Sequence, residues 1–331
     1  MSEIKKYLLG DYRETFKYSN ELARHGLTKM QPLIITCAIT GGIHGAEANP
    51  ALPETPEEQV QAAYEAYNAG ASMVHIHRRN PDNLSIMSQK AEEYLEVNRM
   101  VREKCPDLII NNTCLGARII NEKEGTISAP FAPSIGAKPE VASVDIACTS
   151  IRAPVKARKA PLTGRDEDGV VNFDLYMSMQ NCEDITLLLN ENEIKPEWEC
   201  FDIGNIKYLN EMIRRGHVKD PYWAQVLFGG TGIFPSVESM KLVTEMMPPN
   251  GNLSVIGIGA CQTAMLTMAI IMGHHVRVGL EDNVFYAPHE LATSNAQLVE
   301  RMVRIAKEVG RPIATPAQAR EMMGLGAPRM Y

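Results

Sequence analysis

The sequence lacks the features that mark several classes of protein. Its seven cysteines form no CxxC pair, and most lie in apolar runs, where a free cysteine behaves as a small buried hydrophobe. The N-terminus has no apolar stretch of signal-peptide length, and the most apolar later run, 263–272, is too short to span a bilayer. We therefore expect a cytoplasmic protein with reduced cysteines and no membrane segment.

Long blocks of one charge are also missing. The formal net charge of −7 is spread along the 331 residues, so the sequence predicts neither nucleic-acid binding nor a membrane-binding surface. Apolar residues make up 45% of the chain and charged residues 22%. This mixture is typical of a globular protein with a large core.

From about residue 32, short Val- and Ile-rich runs alternate with segments of helical periodicity, which is the pattern of βα units in a parallel sheet. The predicted strands are 33–39, 72–77, 108–113, 141–147, 198–203, 222–228, 253–258 and 275–280. The first helix is predicted to begin at Pro56, after an N-cap at Thr55, and to end at Gly70. Further helices are predicted over 90–104, 174–190, 204–216, 236–247, 261–273 and 292–309.

Eight such units can close as a barrel or lie open as a doubly wound sheet. The glycine-rich turns at 229–232 and 257–259 lack the GxGxxG spacing of a dinucleotide fold, which favours the barrel. We therefore predict an α/β protein with a single (β/α)8 TIM-barrel domain over 32–331. An N-terminal arm over 1–31 precedes it, and 151–173 is expected to be a long decorating loop.

Two histidines lie in the second predicted strand. Because successive side chains of a strand alternate between its faces, His75 and His77 share the face that points into the barrel. Val74 and Ile76 then face the helices. Both histidines fall at the carboxyl end of the strand, where barrel enzymes build their sites. Two hydrogen-bonded core histidines would have the same spacing, but metal ligation is the favoured interpretation.

The last predicted strand supplies a third candidate ligand. Arg277 and Glu281 face the interior, where a charge is costly unless it is paired, ligated or at the mouth. In a closed barrel the eighth strand neighbours the first and the first neighbours the second, which places Glu281 roughly 10 Å around the wall from the histidines. The sequence therefore predicts a metal site of His75, His77 and Glu281. A structural ion pair between Arg277 and Glu281 is the alternative.

Two histidines and a carboxylate with open coordination positions suit catalytic zinc. The same ligands describe non-haem iron(II) sites, so Fe²⁺ or another divalent metal is the alternative to Zn²⁺. Asp282 follows Glu281 and leaves the strand in a different direction, so it can stay free as a base beside Arg277.

Other polar or glycine-rich positions are less specific. The segment Gly229, Gly230 and Thr231 offers backbone N–H groups to a phosphate or carboxylate, although a tight turn explains it equally well. Thr113 and Glu199 lie near strand ends, where either side chain can instead cap a turn.

Five segments between residue 35 and residue 283 form a specific set: ITCAITGGIH (35–44), LPETPEEQ (52–59), VHIHRR (74–79), KPEWECFDIGNI (195–206) and VRVGLEDN (276–283). Together they resemble the β-keto acid cleavage enzymes, whose founding activity cleaves 3-keto-5-aminohexanoate in lysine fermentation. The resemblance runs from about residue 32 to the C-terminus.

The resemblance implies a zinc-containing barrel that converts a β-keto acid and acetyl-CoA to acetoacetate and a new CoA ester. At the matching positions it implies six roles: His75, His77 and Glu281 as metal ligands, Arg277 and Asp282 as the catalytic pair, and Glu199 as an acidic residue near the site. The expected chemistry is Claisen condensation followed by retro-Claisen cleavage, with Thr113 a candidate hydrogen-bond donor to developing oxyanions. Family members also suggest a homo-oligomer, either a dimer or a tetramer.

Some positions depart from the family's pattern. In 113–116 only Thr113 keeps a hydroxyl where the family has a Ser or Thr followed by Thr-Gly-Gly. The stretch 145–148 replaces a Thr-rich glycine turn, and Ala260 stands where many members carry Arg.

Substrate recognition is the least specified feature. The glutamate that recognises the amino group of the founding substrate falls at Ile43, with His44 and Glu47 as nearby candidates for substrate binding. The sequence therefore does not predict which β-keto acid is used. Two other functions stay open: a metal-dependent C–C lyase or aldolase of the acyl-CoA lyase type, and a non-catalytic barrel that binds a metal or small ligand.

Overall fold

The computed structural model describes residues 15–114, 120–121, 126–127, 132–146, 148–248 and 250–331. Within these ranges the strands are β1 (Ile35–Thr40), β2 (Met73–Ile76), β3 (Arg79–Asn80), β4 (Asn83–Met87), β5 (Ile109–Thr113), β6 (Ile120–Asn121), β7 (Thr126–Ile127), β8 (Val141–Ile146), β9 (Cys148–Val155), β10 (Gly169–Tyr176), β11 (Lys195–Cys200), β12 (Tyr222–Phe228), β13 (Gly251–Gly257), β14 (His275–Val278), β15 (Phe285–Ala287) and β16 (Glu290–Leu291).

The helices of the same ranges are α1 (Thr15–His25), α2 (Pro56–Ala69), α3 (Ala91–Lys104), α4 (Ala132–Ala137), α5 (Met179–Glu191), α6 (Ile206–Arg214), α7 (Val237–Met246), α8 (Gln262–Ile271), α9 (Asn295–Glu308) and α10 (Pro316–Met323). Helix α2 forms as its local sequence predicts, with a capping box between Thr55 and Glu58 and a left-handed Gly70 at its end. No helix of the described residues is both long and apolar enough to cross a membrane.

Eight strands close into a barrel in the order β1, β2, β5, β8, β11, β12, β13 and β14, and β14 pairs with β1. Every neighbouring pair is parallel. The predicted (β/α)8 barrel is therefore confirmed. Because the barrel is closed through β1, side chains of β2 and β14 can meet above it.

The start of β11 differs from the prediction. The strand begins at Lys195, three residues before the predicted start, and Glu197 pairs in register with Ser143. Lys, Pro and Glu are all uncommon in strands, so the sequence does not predict a strand at 195–197. Glu197 is nevertheless fully buried inside the barrel. At the other end, Asp202 accepts a hydrogen bond from the Gly204 amide and caps a turn instead of continuing the strand.

The prediction of a loop over 151–173 is wrong, because β9 and β10 pair there as an antiparallel hairpin. The hairpin also occupies the first residues of the helix predicted at 174–190, and α5 begins only after an N-cap at Ser178. Its apolar face packs on the ends of three barrel strands, through Ile151, Phe173, Leu175, Phe201, Leu227 and Ile256. The hairpin therefore covers one side of the barrel mouth.

The opposite end of the barrel is closed by apolar side chains. Its inner layer consists of Ile34, Met73, Ile109, Val141 and Trp223, and α10 covers it with Ala319 and Met323. The outward strand residues, including Val74, Ile76, Val276 and Val278, join the main core beneath the helices. An apolar plug at one end leaves the carboxyl ends of the strands as the place for polar chemistry.

The described part of the predicted N-terminal arm contains α1. After this helix, Leu27 and Met30 are buried in a small cluster with Leu22 and Val309. Residues 1–14 of the predicted arm lie outside the described residues.

Candidate active site

His75, His77 and Glu281 converge at the barrel mouth. One ligand atom from each lies within 4.8 Å of the others. The Nε2 atom of His77 is 3.2 Å from Glu281 Oε1, and the Nε2 atom of His75 is 3.6 Å from the same oxygen. The predicted ligands from the second and last barrel strands are thus brought together across β1.

The chemistry of these three groups fits a divalent metal. Glu281 Oε2 is buried and has no hydrogen-bond partner among the described residues. Burial, together with nearby Arg277, holds the pKa of His75 well below its usual value, so the ring is neutral as a metal ligand must be. Burial works to raise the pKa of Glu281, but Arg277 and both histidines outweigh it and hold the carboxylate ionised.

Gly279 allows the chain to bring Glu281 to this place. Its φ is +155°, and a Cβ atom there would lie 2.0 Å from the carbonyl oxygen of Ala38 on β1. Any side chain would therefore collide with the neighbouring backbone. The amide of Glu281 then donates a hydrogen bond to the same Ala38 oxygen, at 3.2 Å.

Arg277 lies at the centre of the charged groups beside the three predicted ligands. Its Nη1 donates to Glu199 Oε1 at 2.7 Å, and its Nε and Nη2 donate to the two Asp282 oxygens at 3.1 and 3.0 Å. Nη2 also donates to Glu281. The arginine is 3% exposed, so these bonds lie in a site largely shielded from water.

The carboxyl groups around Arg277 differ in their acidity. Burial raises the pKa of Asp282 to about 6; Arg277 opposes this shift and Glu281 adds to it. Burial raises the pKa of Glu199 well above its usual value, and the nearby Asp145 and Glu197 carboxyls add to it against the effect of Arg277. Perturbed carboxyl groups at the mouth of a barrel are typical of an active site.

A row of buried polar side chains lies next to His75 inside the barrel. Asn111 Oδ1 is 3.2 Å from His75 Nδ1, and Asn111 Nδ2 donates to Glu197 Oε1 at 2.6 Å. Trp223 Nε1 donates to Glu197 Oε2 at 2.5 Å. Burial raises the pKa of Glu197 to about 7. The sequence analysis did not identify Glu197 or Trp223 as site residues. The signal that could have identified Glu197 is its inward position in the strand, next to the buried Trp198.

A cavity of about 350 Å³ opens above the site. The catalytic candidates Thr113, Glu199, Arg277 and Asp282 line it, as do His77 and Glu281. Much of its remaining wall is apolar, formed by Ile43, Ile151, Phe201, Leu227, Ile258 and Phe285. The cavity therefore joins a charged end with an apolar side.

Only some of the predicted substrate-binding residues line the cavity. His44, Gly230 and Thr231 line the cavity. Gly229 is not among the lining residues; its φ is +80°, and a Cβ atom there would lie 2.7 Å from Cys261 Sγ, so it serves a tight turn.

The segments 113–116 and 145–148, which depart from the family's pattern, are only partly described. Leu115, Gly116 and Ala147 lie outside the described residues.

Glu47 is not among the cavity-lining residues but is held in a buried charge network. Its carboxylate accepts hydrogen bonds from Arg158 at 2.5 Å and Arg165 at 2.9 Å. Arg158 also binds Glu54 through both terminal nitrogens, at 2.8 and 2.7 Å. The network ties the connection between β9 and β10 to the loop after β1, which carries His44.

The chain is similar to proteins of known function. The family model described as beta-keto acid cleavage enzyme matches residues 32–325. The 3-keto-5-aminohexanoate cleavage enzyme of Fusobacterium nucleatum is 35% identical over 300 residues, which is 89% of this chain and 99% of that protein. The 3,5-dioxohexanoate:acetyl-CoA acetone transferase of Paraburkholderia graminis is 30% identical, over 88% of this chain and 96% of its own.

A solved structure shares the fold. The apo structure of ObcA superposes with a TM-score of 0.59 at 18% identity, covering 84% of this chain and 66% of ObcA. At this identity the likeness concerns the fold alone.

Proposed function

The chain belongs to the β-keto acid cleavage enzyme family, and we propose from that premise that it transfers acyl groups between a β-keto acid and acetyl-CoA. The products are acetoacetate and a new CoA ester. The observation that carries this proposal is the pair of hydrogen bonds by which Arg277 holds Asp282 beside His75, His77 and Glu281.

We propose Zn²⁺ as the metal held by His75, His77 and Glu281, because two imidazoles and one carboxylate leave open positions of the kind found in catalytic zinc sites. A bound metal of this kind acts as a Lewis acid that polarises carbonyl oxygens. Fe²⁺ is the alternative with the same ligands.

Asp282 is the proposed general base. Arg277 fixes both of its oxygens and so orients the carboxylate, while Glu199 binds the far side of the guanidinium. Asp282 takes a proton from the carbon between the keto group and the carboxylate of the substrate. Thr113, which lines the cavity, is positioned to donate a hydrogen bond to oxygen atoms that gain negative charge.

The carbon chemistry then balances without a redox step. The carbanion attacks the thioester carbonyl of acetyl-CoA and releases the CoA thiolate. The thiolate attacks the former keto carbon, the carbon–carbon bond breaks, and the new CoA ester leaves. Asp282 returns its proton to the carbon of the departing acetoacetate.

An isotope experiment tests the reaction. Zinc-loaded protein is given a panel of β-keto acids with acetyl-CoA labelled with ¹³C at both acetyl carbons, and the products are analysed by mass spectrometry. We expect acetoacetate with two labelled carbons and an unlabelled CoA ester. Cleavage that proceeds without acetyl-CoA would identify a lyase of the acyl-CoA lyase type. Absence of any product from a broad panel, with the metal verified as bound, would contradict the proposed function.

A further inference from the structure

His75 needs its proton on one particular nitrogen. The ring can bind a metal through Nε2, which faces Glu281, only when that nitrogen carries no proton. In a neutral ring the proton must then be on Nδ1, which lies 3.2 Å from Asn111 Oδ1. An amide oxygen only accepts hydrogen bonds, so in this arrangement Nδ1 is the donor.

The orientation of the Asn111 side-chain amide decides whether the proton of His75 is on Nδ1. Rotation by half a turn would exchange its oxygen and its NH₂ group, and would present a donor to His75. Glu197 prevents this exchange, because its Oε1 accepts from Asn111 Nδ2 at 2.6 Å. Its other oxygen already accepts from Trp223 Nε1, which can only donate.

The strands place these residues in one buried row. Asn111 pairs in register with His75 between β2 and β5, while Glu197 and Trp223 come from β11 and β12. Asn111, Glu197 and Trp223 are at most 1% exposed, and none of them lines the cavity. They therefore act on His75 without touching a substrate.

The second histidine has a different neighbour. His77 Nδ1 lies 3.0 Å from the sulfur of Met87, a weak acceptor. Of the two predicted imidazole ligands, His75 is thus the one whose proton position is set by a directed row of hydrogen bonds.

We propose that Glu197 is a positioning residue for the metal site, which sets the Asn111 amide and through it the protonated nitrogen of His75. This inference rests on the proposed metal site. Groups that orient a metal-bound histidine commonly change metal affinity by about 10- to 100-fold when they are replaced.

The decisive variant is Glu197→Gln, which preserves shape but has only one acceptor. The Trp223 indole can only donate, so its hydrogen bond must go to the single oxygen of the glutamine. This turns the glutamine NH₂ group toward Asn111. The Asn111 amide then rotates and offers its NH₂ to His75 Nδ1. The ring proton moves to Nε2, where it competes with the metal.

The experiment is run at pH ~8, where a Glu197 carboxyl with a pKa of about 7 is ionised and both of its oxygens accept. It measures Zn²⁺ affinity by competition with a chelator, and the His75 ring in metal-free protein by ¹⁵N NMR. Glu197→Gln is expected to weaken Zn²⁺ binding about 10- to 100-fold and to move the His75 proton from Nδ1 to Nε2. Trp223→Phe is the matched control, because it removes a buried hydrogen bond from Glu197 and leaves the order of Glu197, Asn111 and His75 intact. Its affinity is expected to stay within about threefold of the wild type, whatever it does to thermal stability.

Asn111→Leu provides a second route if Glu197→Gln folds poorly. It removes the acceptor for His75 and is expected to cause the same loss of affinity. The double variant is expected to bind as Asn111→Leu does, because both changes act through one row. Unchanged Zn²⁺ affinity in Glu197→Gln or in Asn111→Leu, or equal losses in Glu197→Gln and Trp223→Phe, would overturn the proposal. A wild-type protein that binds no metal would instead contradict the proposed metal site.

Discussion

Arg277 gives three neighbouring carboxylates different roles. Asp282 receives two hydrogen bonds from it and Glu199 one, whereas Glu281 combines its bond to Arg277 with proximity to both histidines. Glu281 and Asp282 are consecutive residues that follow β14, which allows the first carboxylate to face the two histidines and the second to serve as the proposed base.

The first prediction concerns this base. Asp282→Asn is expected to retain Zn²⁺ and to lower kcat by roughly 10²- to 10⁴-fold, because the amide cannot take the substrate proton. Steady-state assays with metal analysis would measure both effects. Asp166→Asn, on the exposed connection between β9 and β10, serves as the control and is expected to keep full activity. Normal turnover by Asp282→Asn would remove Asp282 from the mechanism.

The second prediction concerns Glu197 and pH. Burial raises the pKa of Glu197 to about 7 in the folded protein, whereas an unfolded chain has a glutamate pKa of about 4.3. The folded state binds the proton more tightly, so the stability from this group is complete below pH ~4.3 and is lost as pH rises through ~7.

Urea unfolding of metal-free protein would test this dependence. The free energy of unfolding of the wild type, minus that of Glu197→Gln, is expected to fall by up to about 3 kcal/mol between pH 4.5 and 7.5. A difference that is constant over this range would show that Glu197 keeps its usual pKa.

At the scale of elements, the buried network around Arg158 joins two segments that are far apart in sequence. The connection between β9 and β10 supplies the arginine, and the loop after β1 supplies Glu47 and Glu54. Since the same loop carries Ile43 and His44, the network holds part of the cavity wall in place.

The third prediction follows from this network. Arg158→Lys keeps the charge but cannot donate to both carboxylates in the same way, so it is expected to reduce stability by about 1–3 kcal/mol. We also expect a higher KM, with the larger effect on KM than on kcat. Thermal unfolding and steady-state kinetics would measure these changes. Lys156→Ala is the control, because Lys156 forms an exposed pair with Asp168, and its stability is expected to change by less than about 0.5 kcal/mol. A similar loss in both variants would assign no special role to Arg158.

Local sequence predicted some elements better than others. Helix α2 carries its own boundaries in Thr55, Pro56 and Gly70, so it could be placed closely. The hairpin was missed because its strands contain Pro154 and two charged residues, Arg152 and Asp174, and because their order comes from packing on the barrel. The early start of β11 was hidden for a related reason, because only the closed barrel explains why Glu197 is buried.

The site could be predicted where strand alternation decides it. His75 and Arg277 face inward within their strands by a simple period of two. His77 and Glu281 come just after the ends of β2 and β14, and closure of the barrel brings them to the same place. The engagement of Glu47 by Arg158 depends on contacts across more than 100 residues, which no local pattern encodes. The proposed homo-oligomer stays a prediction.

At the scale of the whole molecule, a bound metal would connect two strands that flank β1. The fourth prediction is that chelation lowers Tm and that added Zn²⁺ restores it, because a ligand that binds only the folded state stabilises it. At a free Zn²⁺ concentration 100 times Kd the gain is about 2.7 kcal/mol, or roughly 4 °C for a domain of this size. Thermal scans with and without chelator would measure the shift.

His77→Ala is the matched variant for that experiment. It removes one of the three ligands, so its Tm is expected to respond much less to Zn²⁺ at the same concentration. An equal response in the two proteins would show that the metal binds elsewhere.

The distance along the chain between the three ligands has a consequence during synthesis. His75 and His77 leave the ribosome about 200 residues before Glu281, and Gly279 and the last barrel strand appear only with it. A nascent chain therefore exposes two histidines without their carboxylate for most of translation. A site made of these three residues is complete only after the barrel has closed, so the proposed metal would be acquired by the finished molecule and not while it is being made.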